Sequence, residues 1–227
     1  IRHAEALRSD YPVLAKLWYF WGNHFTISDT QTLSSFSTGA YQREFLRSNM
    51  NTTFETMVTE ATLAWPMIMH LDNKDNVGPK SISGKEDWRR QKKEPATINE
   101  NHARELMELH TISPDGGSTQ EDVIELAKIM TGWRPKWTKG REHGHDVSFD
   151  REIHEPGKKK VLGKVYKSGK KGIKLAIKDL VNHPSCREFI STKLCKYLIT
   201  DNPTPEMIAP VIKAWEKSDG LLPEVHK

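Results

Sequence analysis

Apolar residues return every three or four positions along most of this chain, the spacing of helices that bury one face. Across 5–25, Leu14, Leu17, Trp18, Trp21 and Phe25 form such a stripe. Similar patterns cover 41–47 and 53–69, where Pro66 predicts a bend or a restart near Trp65. They recur from Asn99 to the Ser113-Pro114 pair, then through Val123, Leu126, Ala127 and Met130, and again over 172–182, 184–199 and 204–215. One stretch breaks the rule. Val147 and Phe149 alternate, and Val161, Leu162, Val165 and Tyr166 make a second extended run, which predicts a β-hairpin over 145–166 closed across His154-Glu155-Pro156-Gly157. No internal repeat is found, and the pattern predicts a mainly α fold: a single helical domain with a small β-hairpin insertion.

The punctuation between these elements is equally readable. Ser28 and Asp29 suit a turn or a cap, and Asp115-Gly116-Gly117 turns the chain toward a helix opened by Thr119-Gln120-Glu121-Asp122. That is a capping-box pattern with Asp122 in place of the usual Glu. Gly132 is placed as a C-cap. Between Asp72 and Pro95 the composition turns to Asn, Asp, Lys, Gly, Ser and Arg, which predicts a flexible loop over 73–96.

Composition adds limits. At 227 residues the chain can bury one sizeable core, and although mean hydropathy is −0.66, 7 Trp and 7 Met supply bulky apolar groups to fill it. No apolar run approaches the ~20 residues needed to cross a bilayer. The first residues contain neither an initiator Met nor a leader pattern, so we read 1–227 as one domain of a fragment lacking its N-terminal part. Residues 151–196 hold 13 Lys and Arg against 4 Asp and Glu, although the whole chain is only +4. Lys170, Lys171, Lys174 and Lys178 have the spacing of an ordinary solvated helix face, so nucleic-acid binding ranks below other readings.

The densest polar code lies in 99–111, Asn-Glu-Asn-His-Ala-Arg-Glu-Leu-Met-Glu-Leu-His-Thr. At 100° per residue Asn101, Arg104, Glu105 and Glu108 share one face, while Ala103, Leu106, Met107 and His110 share the opposite, core-facing one. Asn99 is placed to cap the helix, Glu100 meets the positive end of its dipole, and Arg104 and Glu108 have ion-pair spacing. His110 has two readings: a satisfied core histidine, or a ligand or catalyst.

His24, His154 and His183 stand beside recognisable local chemistry, but no two histidines have a metal-motif spacing, so no metal ligand set is assigned and no cofactor is named. His3, His143, His145 and His226 read as incidental. Phosphate-loop, serine-hydrolase and zinc-protease motifs are missing. Cys186 and Cys195 lie on one predicted helix at a spacing that does not favour bonding, and we read both as free thiols.

Several of these segments together resemble the bacterial family catalogued as domain of unknown function 1800. They are Asn99-Glu100-Asn101 with Ala103-Arg104-Glu105-Leu106 and Glu108-Leu109-His110-Thr111, then Gly116-Gly117, Thr119-Gln120, Asp122-Val123 and Thr131-Gly132-Trp133. His154, Gly157, Lys159, Leu162 and Gly163 resemble a further family motif, as do Trp21-Gly22-Asn23-His24-Phe25 and Met67 with Leu71-Asp72-Asn73 upstream. Departures are His102 and Ser118 where the family usually has Tyr, Trp65-Pro66-Met67 for Pro-Ala-Met, and Ser113-Pro114 for a Gly-led turn. The resemblance brings no established activity. It implies export, because many members look exported, and so a periplasmic or secreted, envelope-associated protein.

The leading expectation is that Asn99, Glu100, Asn101, Arg104, His24, His110 and His154 converge on one polar pocket that also includes Lys159. Such a pocket could be hydrolytic, with Glu100 as base and His110 or His154 as acid. The alternative is a non-enzymatic envelope binding or assembly module in which the same residues are a structural hydrogen-bond network. The residues by themselves leave enzyme and non-enzyme both standing.

Overall fold

Pro12 opens the first helix, α1 (Pro12–His24), at a position where its missing N–H leaves no carbonyl unpaired. The computed structural model describes residues 9–28, 37–85, 95–136 and 146–227. The cap expected at Asp29 and the histidines His3, His143 and His145 therefore lie outside the described residues. Leu17, Trp18, Trp21 and Phe25 are buried as the stripe predicts and Phe20 is buried beside them, but Leu14 is 46% exposed because the buried arc is centred on Leu17, Trp18 and Trp21.

A short helix, α2 (Thr38–Tyr41), runs into a π-helical segment, Gln42–Arg47. α3 (Phe54–Leu63) starts where the Thr53 hydroxyl accepts from the Thr56 amide, and it stops at Ala64, whose ψ of 137° is extended. Pro66 accounts for that stop: it has no N–H for the carbonyl four residues back, and in a continuous helix its ring would clash there. α4 (Trp65–His70) then restarts with Pro66 in its first turn. After a 3-10 turn, Asn73–Asp75, come α5 (Asn101–Glu108) and α6 (Gln120–Met130), the latter opened by the full Thr119/Asp122 capping box. The C-terminal part holds α7 (Gly172–Val181), α8 (Pro184–Leu198), α9 (Pro205–Ser218) and α10 (Leu222–Val225). The fold is mainly α, with two small antiparallel hairpins.

β2 lies where alternation places an extended run, and β3 and β4 fall within the second run, but β1 was not expected and the pairing differs from one hairpin over 145–166. β1 (Trp133–Pro135) pairs with β2 (Val147–Phe149), Trp133 opposite Phe149. β3 (Lys159–Val161) pairs with β4 (Lys164–Tyr166). The reason is the turn between β3 and β4. Leu162 and Gly163 have φ of 48° and 80°, the two successive positive values whose twist suits a two-residue hairpin. β3 thus takes its own neighbour and leaves β2 for β1. Gly132, ahead of β1, has φ 93°, and a Cβ there would lie 2.8 Å from the Asp150 carbonyl oxygen.

α6 packs against α5, α7 and β3, while α3 packs on α7, α8 on α9 and α9 on α10. The core is continuous, and an aromatic line crosses it: the Phe54 ring lies 5.5 Å from Trp21 and 5.0 Å, edge to face, from Trp215. The last residues close over this line. Phe54 N donates to Gly220 O and Leu222 N to Thr52 O, each at 2.9 Å.

The polar stretch after α4 is held down as far as residue 85. Gly78 N donates to Ile153 O and Ser83 N to Glu152 O, the Lys80 amide donates to the Glu155 carboxylate, and Asn73, Asn76 and Ser81 are buried. Residues 86–94 of the predicted loop lie outside the described residues. Cys186 and Cys195 are both buried and unbonded on α8, and Lys170, Lys171, Lys174 and Lys178 are solvent-exposed. Among the described residues no helix is long and apolar enough to cross a membrane.

Candidate functional site

An α-helix ends with carbonyls that have no intrahelical donor, and buried ones must find partners elsewhere. α6 ends inside the protein, and side chains from three separate segments donate to carbonyls of its last turn and just beyond it, including Ala127 O, which also accepts from the Thr131 amide. Asn76 Nδ2 donates to Ala127 O at 2.9 Å, the Thr131 hydroxyl to Lys128 O at 2.7 Å, and Asn73 Nδ2 to Met130 O at 3.3 Å and Trp133 O at 2.8 Å. His154 Nδ1 lies 2.7 Å from Thr131 O, which makes that nitrogen the protonated one, and its Nε2 accepts from the Gly169 amide at 2.9 Å. Both imidazole nitrogens are thereby used. Burial pulls the His154 pKa below its ordinary value, against the Thr131 carbonyl bond, which raises it.

Lys159 is buried beside this group and donates to the Glu155 carbonyl, while burial lowers its pKa. Asn99 and Asn101 join the same frame from α5 and its entrance. The Asn99 amide donates to Asn76 Oδ1 at 3.1 Å, Asn99 Nδ2 to Asp72 O at 3.3 Å, and Asn101 Nδ2 to Leu71 O at 3.4 Å. Asn99 Oδ1 also accepts from the Asn101 amide at 3.1 Å, so it serves the helix entrance as its position predicts.

Glu100 and Arg104 face outward, in a cleft of about 430 Å³ lined also by Asp75, Thr97, Ile98, Asn99 and Asn101. Arg104 reaches Glu100 at 2.6 Å and Glu108 at 2.9 Å, and Gln120 Nε2 donates to the second Glu100 oxygen at 2.7 Å. The hydrogen bonds from Gln120 and Arg104 hold the Glu100 carboxyl below the usual carboxylate range. A general base working near neutrality needs the opposite shift.

His24, His102 and His110 lie in the core. His24 Nε2 is 3.1 Å from His110 O, and Lys193 Nζ is 2.9 Å from His24 Nδ1; the imidazole therefore donates through Nε2 and accepts the lysine proton at Nδ1. The His24 and His110 rings are 5.9 Å apart. His110 Nδ1 and both ring nitrogens of His102 have no hydrogen-bond partner among the described residues. Burial is the largest cause that pushes His102 and His110 down to about 3 and His24 well below its ordinary value. Lys193 adds to the shifts of His24 and His110.

The structure thus divides the expected pocket into separate sets. His24 and His110 meet each other, Glu100 and Arg104 share a solvent-facing cleft with Asn99 and Asn101, and His154 with Lys159 belongs to the frame around the end of α6. Among the described residues no group of three or more His, Cys, Asp or Glu is arranged to hold a metal ion. A family model described as a protein of unknown function (DUF1800) matches residues 1–227. The chain belongs to the DUF1800 family. No curated protein and no solved structure matches it.

On this DUF1800 chain the matched motifs Leu71-Asp72-Asn73, Asn99 to Asn101, Thr131-Gly132-Trp133 and His154 with Lys159 all border the end of α6. Reading the sequence missed Asn76, which carries no local signal, and the polar role of Asn73 and Thr131, which were noticed only as family positions. It also missed Lys193, whose signal is its place beside the buried Ile190 and Leu194 on α8. His226 is no bystander, since its Nε2 accepts from the Trp21 indole at 3.2 Å and burial lowers its pKa to about 4.

Proposed function

We propose that this DUF1800 chain is a non-enzymatic binding or assembly module of the bacterial cell envelope, in which Asn99, Glu100, Asn101 and His154 serve as structural hydrogen-bonding groups. One observation carries the reading: the residues expected to do acid and base chemistry do not meet, Glu100 lying in a solvent-facing cleft, His110 beside His24 in the core and His154 at the end of α6. The pKa directions agree with that separation: hydrogen bonds from Gln120 and Arg104 lower Glu100, and burial lowers His110 and His154. The saturation of His154 by Thr131 and Gly169 supports the same view. The envelope placement rests on the family resemblance, and fractionation of cells expressing the full-length protein tests it.

The enzymatic alternative is tested at Glu100, whose side chain is partly exposed and stabilises the fold little. Glu100→Gln should change the unfolding free energy by less than about 1 kcal/mol. It should also leave unchanged any turnover found in a screen of ester, amide and glycoside substrates. A hydrolytic activity of the wild type that disappears in Glu100→Gln at unchanged Tm would overturn the reading.

A further inference from the structure

We propose that the cleft between α1 and α8 is a binding site for a small carboxylate carried on a flat apolar ring, with Lys193 as its counter-charge. The cleft, about 330 Å³, is lined by Phe20, Asn23, His24, Lys193, Lys196 and Tyr197. That volume falls within the range of small-molecule sites. Two features set it apart. The first is a cation without a counterion. Lys193 is partly buried, yet its only polar neighbour at hydrogen-bond distance among the described residues is the neutral His24 nitrogen, at 2.9 Å. Its ammonium otherwise lies 5.0 Å over the Phe189 ring. Among the described residues it forms no ion pair with a carboxylate, and the lining contains a second lysine and no acid.

A partly buried cation without a counterion is costly, and an incoming anion removes that cost. Desolvation lowers the Lys193 pKa, as an unpaired site requires. The second feature is the wall. Phe20 is buried and packs 5.5 Å from the half-open Tyr197 ring, giving the mouth an aromatic rim next to the cations. A carboxylate reaching Lys193, with Asn23 and Lys196 at the rim, places its ring against Phe20 and Tyr197. His24 contributes by position: its Nε2 bond to the His110 carbonyl fixes the ring so that Nδ1 orients the lysine.

This site deepens the binding-module reading and rests on it, but it fails separately, because the Glu100 experiment does not involve the cleft. Calorimetric titration with benzoate should show saturable binding in the millimolar range. Benzamide, the neutral isostere, and acetate, which lacks the ring, should each bind about tenfold more weakly. Lys193→Met should weaken benzoate about tenfold. Should that variant not fold, Lys196→Glu, at an exposed rim position, should weaken benzoate and leave Tm unchanged. Equal binding of benzoate and benzamide, equal binding of benzoate and acetate, no benzoate binding by the wild type, or an unchanged affinity in folded variants would each overturn the proposal.

Discussion

The frame around the end of α6 and the histidine group between α1, α5 and α8 are both buried and both polar, and they are built in opposite ways. In the first, Asn73, Asn76, Thr131 and His154 each find partners, and the carbonyls they serve lie in the last turn of a helix and just beyond it. In the second, His102 and His110 bury ring nitrogens with no partner among the described residues, and a lysine, Lys193, lies against His24. A satisfied polar network stabilises one arrangement of segments; an unsatisfied one is a standing cost that the rest of the core offsets. Burial alone therefore does not identify a site. The partners do.

Acid should expose the difference most strongly. Unfolded histidines protonate near 6.5, whereas folded His102 and His110 do so near 3, so between those values the unfolded chain binds the extra protons. Stability is therefore full above about pH 6.5 and falls as pH drops toward 3, by about 1.4 kcal/mol per pH unit for each histidine. Tm followed from pH 7 to 4 should show this slope, and His102→Leu should remove one proton's share of it. A flat profile would mean that the core imidazoles are solvated.

Next in size is the frame itself. Asn73→Ala strips donors from Met130 O and Trp133 O and an acceptor from Asn76, and should cost about 3 kcal/mol in denaturant unfolding. A loss below about 1 kcal/mol would show that water replaces the amide with ease. The smallest effect sharpens the contrast in sign. At pH 7, His102→Leu deletes two unpartnered nitrogens and should be neutral or stabilising by about 1 kcal/mol, a result that Asn73 replacement never gives. Marked destabilisation by His102→Leu would put the two regions in the same class.

The helices were legible because their signals are local. Pro66 restarting α4, the Thr119/Asp122 box and the inward face of Leu106 and Met107 all follow from spacing within a few residues. Strand pairing was less so, since alternation marks a strand without naming its partner; the two positive φ values at Leu162 and Gly163 decided it. Asn73, Thr131 and His154 around α6 were visible as motif positions but not as a network, and Asn76 was not visible at all. Their task is set by carbonyls of the Ala127 to Trp133 segment, which reads as an ordinary helix end, and Asn76 is tied to Ala127 across 51 positions. Lys193 meets His24 across 169 positions, a separation that no periodicity encodes.

The aromatic line through Trp21, Phe54 and Trp215 also sets an order of events during synthesis. Its members come from α1, α3 and α9, and the lid over it, Gly220 to Leu222, is stitched to Thr52 and Phe54. A nascent chain that has not yet released Trp215 leaves one side of Phe54 bare, so this part of the interior can form only after Trp215 has been translated. Such distant closure slows folding and prolongs the time in which an apolar surface is open to chaperones.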